Sequence, residues 1–113
     1  MSPTKKPFDR CKATPYIAAM IRSFKSNTLN RYWTRGQNKG LRLEWRNKIK
    51  LILSRLDVIG RPQEMDIPGF GFHPLKGDQR GRFAVWVSRN WRITFGWDGT
   101  HAIDVDLEDY HGK

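Results

Sequence analysis

The sequence predicts an α+β domain in which a short N-terminal strand is followed by two helices packed on one face of a small antiparallel β-sheet. Two observations lead to this prediction. Apolar residues in the middle of the chain recur at steps of three and four, whereas those near the end alternate at a period of two. Because the helices precede the strands instead of alternating with them, the sheet should be antiparallel, with its other face partly open.

The composition indicates one folded domain with a polyanionic partner. A chain of 113 residues suffices for one core, and its net charge of +10 makes nucleic acid the first candidate partner. Five tryptophans place that charge on a folded body instead of a disordered tail. One cysteine excludes an internal disulfide, and no apolar run approaches the roughly 18 residues of a membrane span. We therefore expect a cytoplasmic protein that does not associate with membranes.

The N-terminal part of the chain is expected to divide at Met20. Residues 1–19 hold three prolines and show no periodicity, so they are predicted to form a flexible extension. Residues 20–113 are predicted to form the domain, beginning with “MIRSF” as the short first strand. Whether Met1 or Met20 begins the active protein stays open at this point.

Two helices are expected after this strand. Asn27 can cap the first helix, and Gly36 is placed to end it. The second helix is predicted from about residue 41 to about residue 59, because its apolar residues form one stripe. This stripe contains Leu41, Trp45, Ile49, Ile52, Leu56 and Ile59.

The loop “DIPGFGFHPLKGDQRG” then leads into three predicted strands. “RFAVWVS” and “WRITFGW” alternate apolar and other residues, with Arg89 and Asn90 in the turn between them. Asp98 and Gly99 give a strong hairpin signal before the last strand, “AIDVDL”. One apolar face of this last strand is expected to contain Ile103, Val105 and Leu107.

Four short sequence motifs, each present once, occur in the same order as in one known protein family. They are “MIRSF” at 20–24, “HPLKG” at 73–77, “NWRITF” at 90–95 and “DYH” at 109–111. Together they resemble the HigB toxins of bacterial type II toxin–antitoxin pairs, a branch of the RelE superfamily. The resemblance covers about residues 20–111 and implies the RelE-like microbial RNase fold.

The resemblance also implies an activity and its partners. HigB toxins are ribosome-dependent endoribonucleases that cut mRNA during translation and need neither a metal nor a cofactor. The implied partners are the ribosome with its mRNA and a helix-turn-helix antitoxin of the HigA type. Operator DNA is expected to bind only the toxin–antitoxin complex.

Four catalytic positions follow from the resemblance, namely His73, Asp109, Tyr110 and His111. Cleavage of RNA needs a base for the 2′-hydroxyl and an acid for the leaving 5′-oxygen, and histidine titrates near neutral pH. His73 and His111 are therefore expected to transfer protons, with Tyr110 and Asp109 positioning the RNA. Which group is the base and which is the acid stays open. The third histidine, His101, is expected to be an ordinary surface residue beside the hairpin turn.

Four basic residues are expected to contact the phosphate or the RNA. The resemblance assigns Lys76 and Arg92 to the phosphate, and strand alternation places Arg92 on the face opposite Trp91. Arg82 and Arg89 are added as further RNA-binding residues. Arg82 occupies a position where many relatives have an aromatic residue, so one stacking surface is expected to be replaced by a charge.

The last strand contains a conflict between alternation and function. If alternation continued from Ile103 through Leu107, Asp109 and His111 would point into the core, which is unfavourable for a carboxylate. We therefore expect the strand to end, bend or bulge near Leu107 and Glu108.

Two other functions are compatible with the basic composition. A non-catalytic nucleic-acid-binding corepressor would bind DNA without arresting growth. A gyrase-targeting relative within the superfamily would need no proton-transfer groups at the C-terminus, and the terminal “DYH” argues against it.

Overall fold

Two helices pack on one face of a four-stranded antiparallel sheet in the computed structural model, which describes residues 21–109. The helices are α1 (Asn27–Arg35) and α2 (Leu43–Leu56). The strands are β1 (His73–Pro74), β2 (Arg82–Trp86), β3 (Trp91–Trp97) and β4 (Ala102–Asp109), adjacent in this order. The predicted α+β class is therefore confirmed, and β1 extends the predicted three-stranded meander.

The segment that precedes α1 runs parallel to β4. Isolated bridges join Ile21 to Ala102 and Phe24 to Val105, and the N–H of Arg22 donates to the carbonyl of Ala102 at 2.8 Å. The predicted first strand thus pairs through two bridges instead of a continuous ladder. The predicted extension, residues 1–19, lies outside the described residues.

The N-terminal cap of helix α1 lies one residue earlier in the sequence than predicted. Ser26 has an extended backbone, and its hydroxyl accepts a hydrogen bond from the N–H of Leu29 at 3.1 Å. Asn27 is already helical, so the predicted cap at Asn27 is wrong. The predicted end is confirmed, because Gly36 adopts the left-handed conformation at φ 72°.

Helix α2 supplies one side of the core. The helix is shorter than predicted, but all six residues of the predicted stripe are buried, including Leu41 and Ile59 beyond its ends. Trp45 packs against Trp91 with ring centroids 5.1 Å apart. Within residues 21–109 neither helix is long and apolar enough to cross a membrane.

The sheet supplies the other side of the core. Each fully buried apolar side chain contributes about 1.5–3 kcal/mol, so the contact between the helices and the sheet is the main stabilising interaction. The contributing sheet residues are Val85, Val87, Ile93, Phe95, Ala102 and Val105.

β4 contains one more residue than the segment of β3 that it pairs with. Gly96 pairs with Ile103, whereas Thr94 pairs with Asp106, so three steps along β4 correspond to two along β3. Within this bulge Asp104 has a φ of 49°, the only positive φ at a non-glycine residue among those described.

The N-terminal segment stabilises the bulge. Because of the extra residue, the β4 side chains that point toward the helices before the bulge and after it do not follow one regular alternation. The N–H of Asp104 donates to the hydroxyl oxygen of Ser23 at 2.8 Å. Ile103 therefore lies on the face away from the helices, where it would contact a Cβ added to Gly96. Val105 is buried on the helical side, so the predicted single face of Ile103, Val105 and Leu107 is wrong for Ile103.

The predicted break near Leu107 and Glu108 is also wrong. Glu108 pairs with Arg92 and Asp109 pairs with Trp91, so the ladder continues to the end of β4. Asp109 lies on the helical side of the sheet but is exposed at the end of the strand. The burial cost that motivated the predicted break therefore does not arise.

His101 closes the β3–β4 hairpin and is buried, so the expected surface position is wrong. Its Nδ1 accepts a hydrogen bond from the guanidinium of Arg22 at 3.2 Å. The Asp98 carboxylate accepts the backbone N–H groups of Thr100 and His101, which lowers the pKa of Asp98 to about 2. The predicted turn at Asp98 and Gly99 is confirmed by these contacts.

The bulge leads to a test of backbone strain. Asp104→Val is expected to lower the free energy of unfolding by about 1–3 kcal/mol, because a β-branched residue is strained at positive φ. Asp104→Gly should cost less than Asp104→Val, because glycine adopts this conformation freely. Urea denaturation of both variants measures the difference. Equal losses would mean that backbone conformation is not the constraint at this position.

Candidate active site

Three of the six predicted site residues within the described range, His73, Arg82 and Arg92, lie on the sheet face away from the helices. Directly paired residues of antiparallel strands point to the same side of the sheet, so the pairing defines rows across this face. One row contains His73, Ala84, Thr94 and Asp106, and the next contains Trp86, Arg92 and Glu108. We call this surface the candidate face. The predicted facing of Arg92 is thus confirmed.

Glu108 is the centre of a hydrogen-bond network on the candidate face. Its Oε2 accepts from the Thr94 hydroxyl at 2.7 Å, and its Oε1 accepts from the Arg92 guanidinium at 3.3 Å. The side-chain amide of Gln79 also reaches Oε1, at 3.5 Å. Arg82 donates to the Thr94 hydroxyl at 2.9 Å. The network therefore links both arginines to one carboxylate.

The environment keeps Glu108 ionised. Burial raises the pKa of this carboxyl, but hydrogen bonds from Thr94, Gln79 and Arg92, together with the charge of Arg92, lower it below its ordinary value. The carboxylate in turn orients Arg92, whose side chain is only 14% exposed. Arg92 is therefore held against the sheet instead of extending into solvent.

Sequence reasoning missed Glu108 for a definite reason. A regular hairpin continued from the Trp97–Ala102 pair would set Leu107 opposite Arg92. The bulge moves Leu107 opposite Ile93 and brings Glu108 opposite Arg92. The last strand offers four acidic residues that could pair with Arg92, so complementary charge alone did not select Glu108.

The tautomer of His73 suits proton transfer. Its Nδ1 lies 2.8 Å from the carbonyl oxygen of Gly71, and a carbonyl only accepts, so Nδ1 carries the hydrogen. In the neutral ring Nε2 is then the acceptor, which is what a general base requires. His73 is partly exposed and lies on β1, paired with Ala84.

The remaining predicted basic residues occupy different environments. Lys76 is exposed in the β1–β2 connection, and the contact of Gln79 with Glu108 shows that this connection folds back over the candidate face. Arg89 is exposed in the turn between β2 and β3. Arg82 is bonded to the carbonyl of Asp104 as well as to Thr94, so it also supports the bulge.

The structure brings some predicted residues together and separates others. Arg82 and Arg92 share the Glu108 network, whereas His73 and Asp109 lie on β1 and β4, the outer strands of the antiparallel sheet. Three strand spacings of about 4.8 Å separate these outer strands by about 14 Å. Tyr110 and His111 lie outside the described residues. Among residues 21–109 no three His, Cys, Asp or Glu side chains are grouped to hold a metal ion.

Glu108 leads to a test of pH-dependent stability. Glu108→Gln is expected to lower the free energy of unfolding at neutral pH by about 1.5–3 kcal/mol, the range for hydrogen bonds to charged groups. Because folding lowers its pKa, the contribution of Glu108 is present above its ordinary pKa of 4.5 and is lost as pH falls through the lowered pKa.

Urea denaturation at neutral and acidic pH measures this effect. The stabilities of the wild type and Glu108→Gln should differ at neutral pH and converge in acid. Glu64→Gln, at an exposed carboxylate in the connection between α2 and β1, is the matched control, and its stability should change little at either pH. An equal loss from Glu108→Gln at both pH values would show that the ionised form is not the stabilising species.

Comparison with known proteins agrees with the resemblance in the sequence. The model of the family described as RelE-like toxin of type II toxin–antitoxin system HigB matches residues 22–111. Over 92 residues the chain is 34% identical to Endoribonuclease HigB of Proteus vulgaris, which covers 81% of this chain and 100% of that protein. A type II toxin–antitoxin family implies an antitoxin partner. The chain therefore belongs to the HigB-like family of RelE-like toxins.

Proposed function

We propose that this protein is the toxin of a type II toxin–antitoxin pair and that it inhibits translation by cleaving mRNA on the ribosome. Family membership and the similarity to Endoribonuclease HigB support this proposal. The observation that carries it is the placement of His73 and Arg92 on one sheet face, with an acceptor nitrogen on His73 and a carboxylate orienting Arg92. A net charge of +10 favours binding to an RNA substrate.

The chemistry follows from the groups on the candidate face. The 2′-hydroxyl of RNA attacks the adjacent phosphorus after losing its proton to a base, and the P–O5′ bond breaks as an acid protonates the leaving oxygen. His73 and His111 carry out these two proton transfers. Each such group contributes roughly 10²- to 10⁴-fold to the rate. Arg92 and Lys76 stabilise the charge that develops on the phosphate, and Tyr110 and Asp109 position the RNA.

The proposal includes the partners and the compartment. A HigA-type helix-turn-helix antitoxin neutralises the toxin, and the resulting complex binds operator DNA. The ribosome presents the mRNA, so the toxin acts in the cytoplasm. Arg82 and Arg89 add positive charge along the path of the RNA.

Expression in bacteria tests the proposed role directly. Induction of this chain alone is expected to arrest growth, and coexpression of the neighbouring antitoxin gene should restore it. Colony counts after induction measure both effects. Binding of operator DNA without growth arrest would instead establish the non-catalytic corepressor.

Purified protein in a translation extract tests the residues. His73→Ala and His111→Ala are each expected to lower kcat for mRNA cleavage by about 10²- to 10⁴-fold, because each removes a proton-transfer group. Lys76→Ala should also reduce cleavage, whereas Lys50→Ala, at an exposed lysine of α2, is the matched control. Primer extension locates and counts the cuts. Unchanged cleavage by a histidine variant would remove that residue from the mechanism.

A further inference from the structure

Trp86 is a large apolar side chain exposed on the candidate face. It is 51% exposed at the end of β2, whereas the other exposed large apolar residues of residues 21–109 belong to α2 or the segment after it. A tryptophan buries far more apolar area than most side chains when it is covered, so leaving it exposed is unfavourable. Its exposure on the candidate face leaves Trp86 available to contact a ligand there.

One face of the Trp86 indole rests on the backbone at Gly71. A Cβ added to Gly71 would lie 2.8 Å from Cδ2 of Trp86. Because Cδ2 is a ring-fusion carbon with three bonded neighbours in the ring plane, an atom nearest to it lies over the ring face. The backbone N–H of Trp86 donates to the carbonyl of Phe70 at 2.7 Å, which holds the two backbone segments together. The indole is therefore seated on one face, and its exposed area belongs to the opposite face and the rim.

The seated indole is adjacent to the residue that we assign to the phosphate. Trp86 pairs directly with Arg92, which pairs with Glu108 on its other side. Side chains paired in this way have Cβ atoms about 4.5–5.5 Å apart. A nucleotide whose phosphate contacts Arg92 can therefore place a base over Trp86.

We propose that Trp86 is a stacking platform for one base of the single-stranded RNA whose phosphate is bound by Arg92. This inference rests on the proposed function and adds a residue that contacts the substrate base. Aromatic rings interleaved with basic residues are typical of proteins that bind single-stranded nucleic acid, and Arg89 lies in the adjoining turn.

A short RNA with 2′-O-methyl groups is the binding probe, because it lacks the nucleophile and is not cleaved. Trp86→Ala is expected to weaken its binding by roughly 5- to 100-fold, the loss of one base–aromatic stack. Trp86→Phe should recover most of this loss, because a flat ring remains. Leu51→Ala, at an exposed apolar residue of α2, is the matched control. Fluorescence anisotropy of the labelled RNA gives Kd.

A second variant tests the contact between the Trp86 indole and Gly71 without removing the indole. Gly71→Ala pushes a Cβ against the indole, so it should weaken RNA binding while Trp86 is retained. Thermal unfolding of each variant shows whether the protein is folded at the assay temperature. In the translation extract Trp86→Ala should raise KM for the programmed ribosome, whereas His73→Ala should lower kcat.

The outcomes separate this inference from the proposed function. Equal RNA binding and equal KM for the wild type and Trp86→Ala would overturn the stacking platform and leave the nuclease proposal intact. Loss of antitoxin binding without loss of RNA binding would make Trp86 a protein-docking residue and also overturn it. A wild type that cuts no mRNA but needs Trp86 to bind the probe would overturn the nuclease and retain the platform.

Discussion

The candidate face depends on the one extra residue in β4. Asp104 adopts a left-handed backbone, and its N–H is bonded to the Ser23 hydroxyl, 81 positions away in the chain. The extra residue places Leu107 opposite Ile93 and Glu108 opposite Arg92. With regular pairing, an apolar side chain would lie beside the Arg92 guanidinium, and the carboxylate that orients it would face the helices.

The hydrogen bonds around Glu108 divide the candidate face into a closed and an open part. Thr94 is fully buried because Arg82, Glu108 and the connection carrying Gln79 surround it. Beside this network Trp86 is exposed, and His73 on the outer strand β1 is partly exposed. An arginine that is already oriented by a carboxylate needs little reorganisation when charge develops on a bound phosphate, which is the condition for electrostatic catalysis.

Predictions from the sequence were accurate for features that depend on a repeated pattern. They were inaccurate for features that depend on a single residue, such as a helix cap or a β-bulge. The apolar stripe of α2 was identified from six residues, so an error at either end did not matter. The cap of α1 was placed at Asn27 instead of Ser26, because both side chains can cap and only the backbone conformation distinguishes them. The predicted break near Glu108 was wrong because the true irregularity, at Asp104, is stabilised by a residue distant in sequence.

By itself the sequence determined the α+β class, the family motifs and the facing of Arg92, because these depend on local periodicity and on residues adjacent in the chain. It also named Tyr110 and His111, which stay predictions. The tertiary structure decided that Glu108 orients Arg92 and that Trp86 rests on Gly71. Both contacts depend on the register between strands, and one residue inserted or removed reverses which side chains share a face.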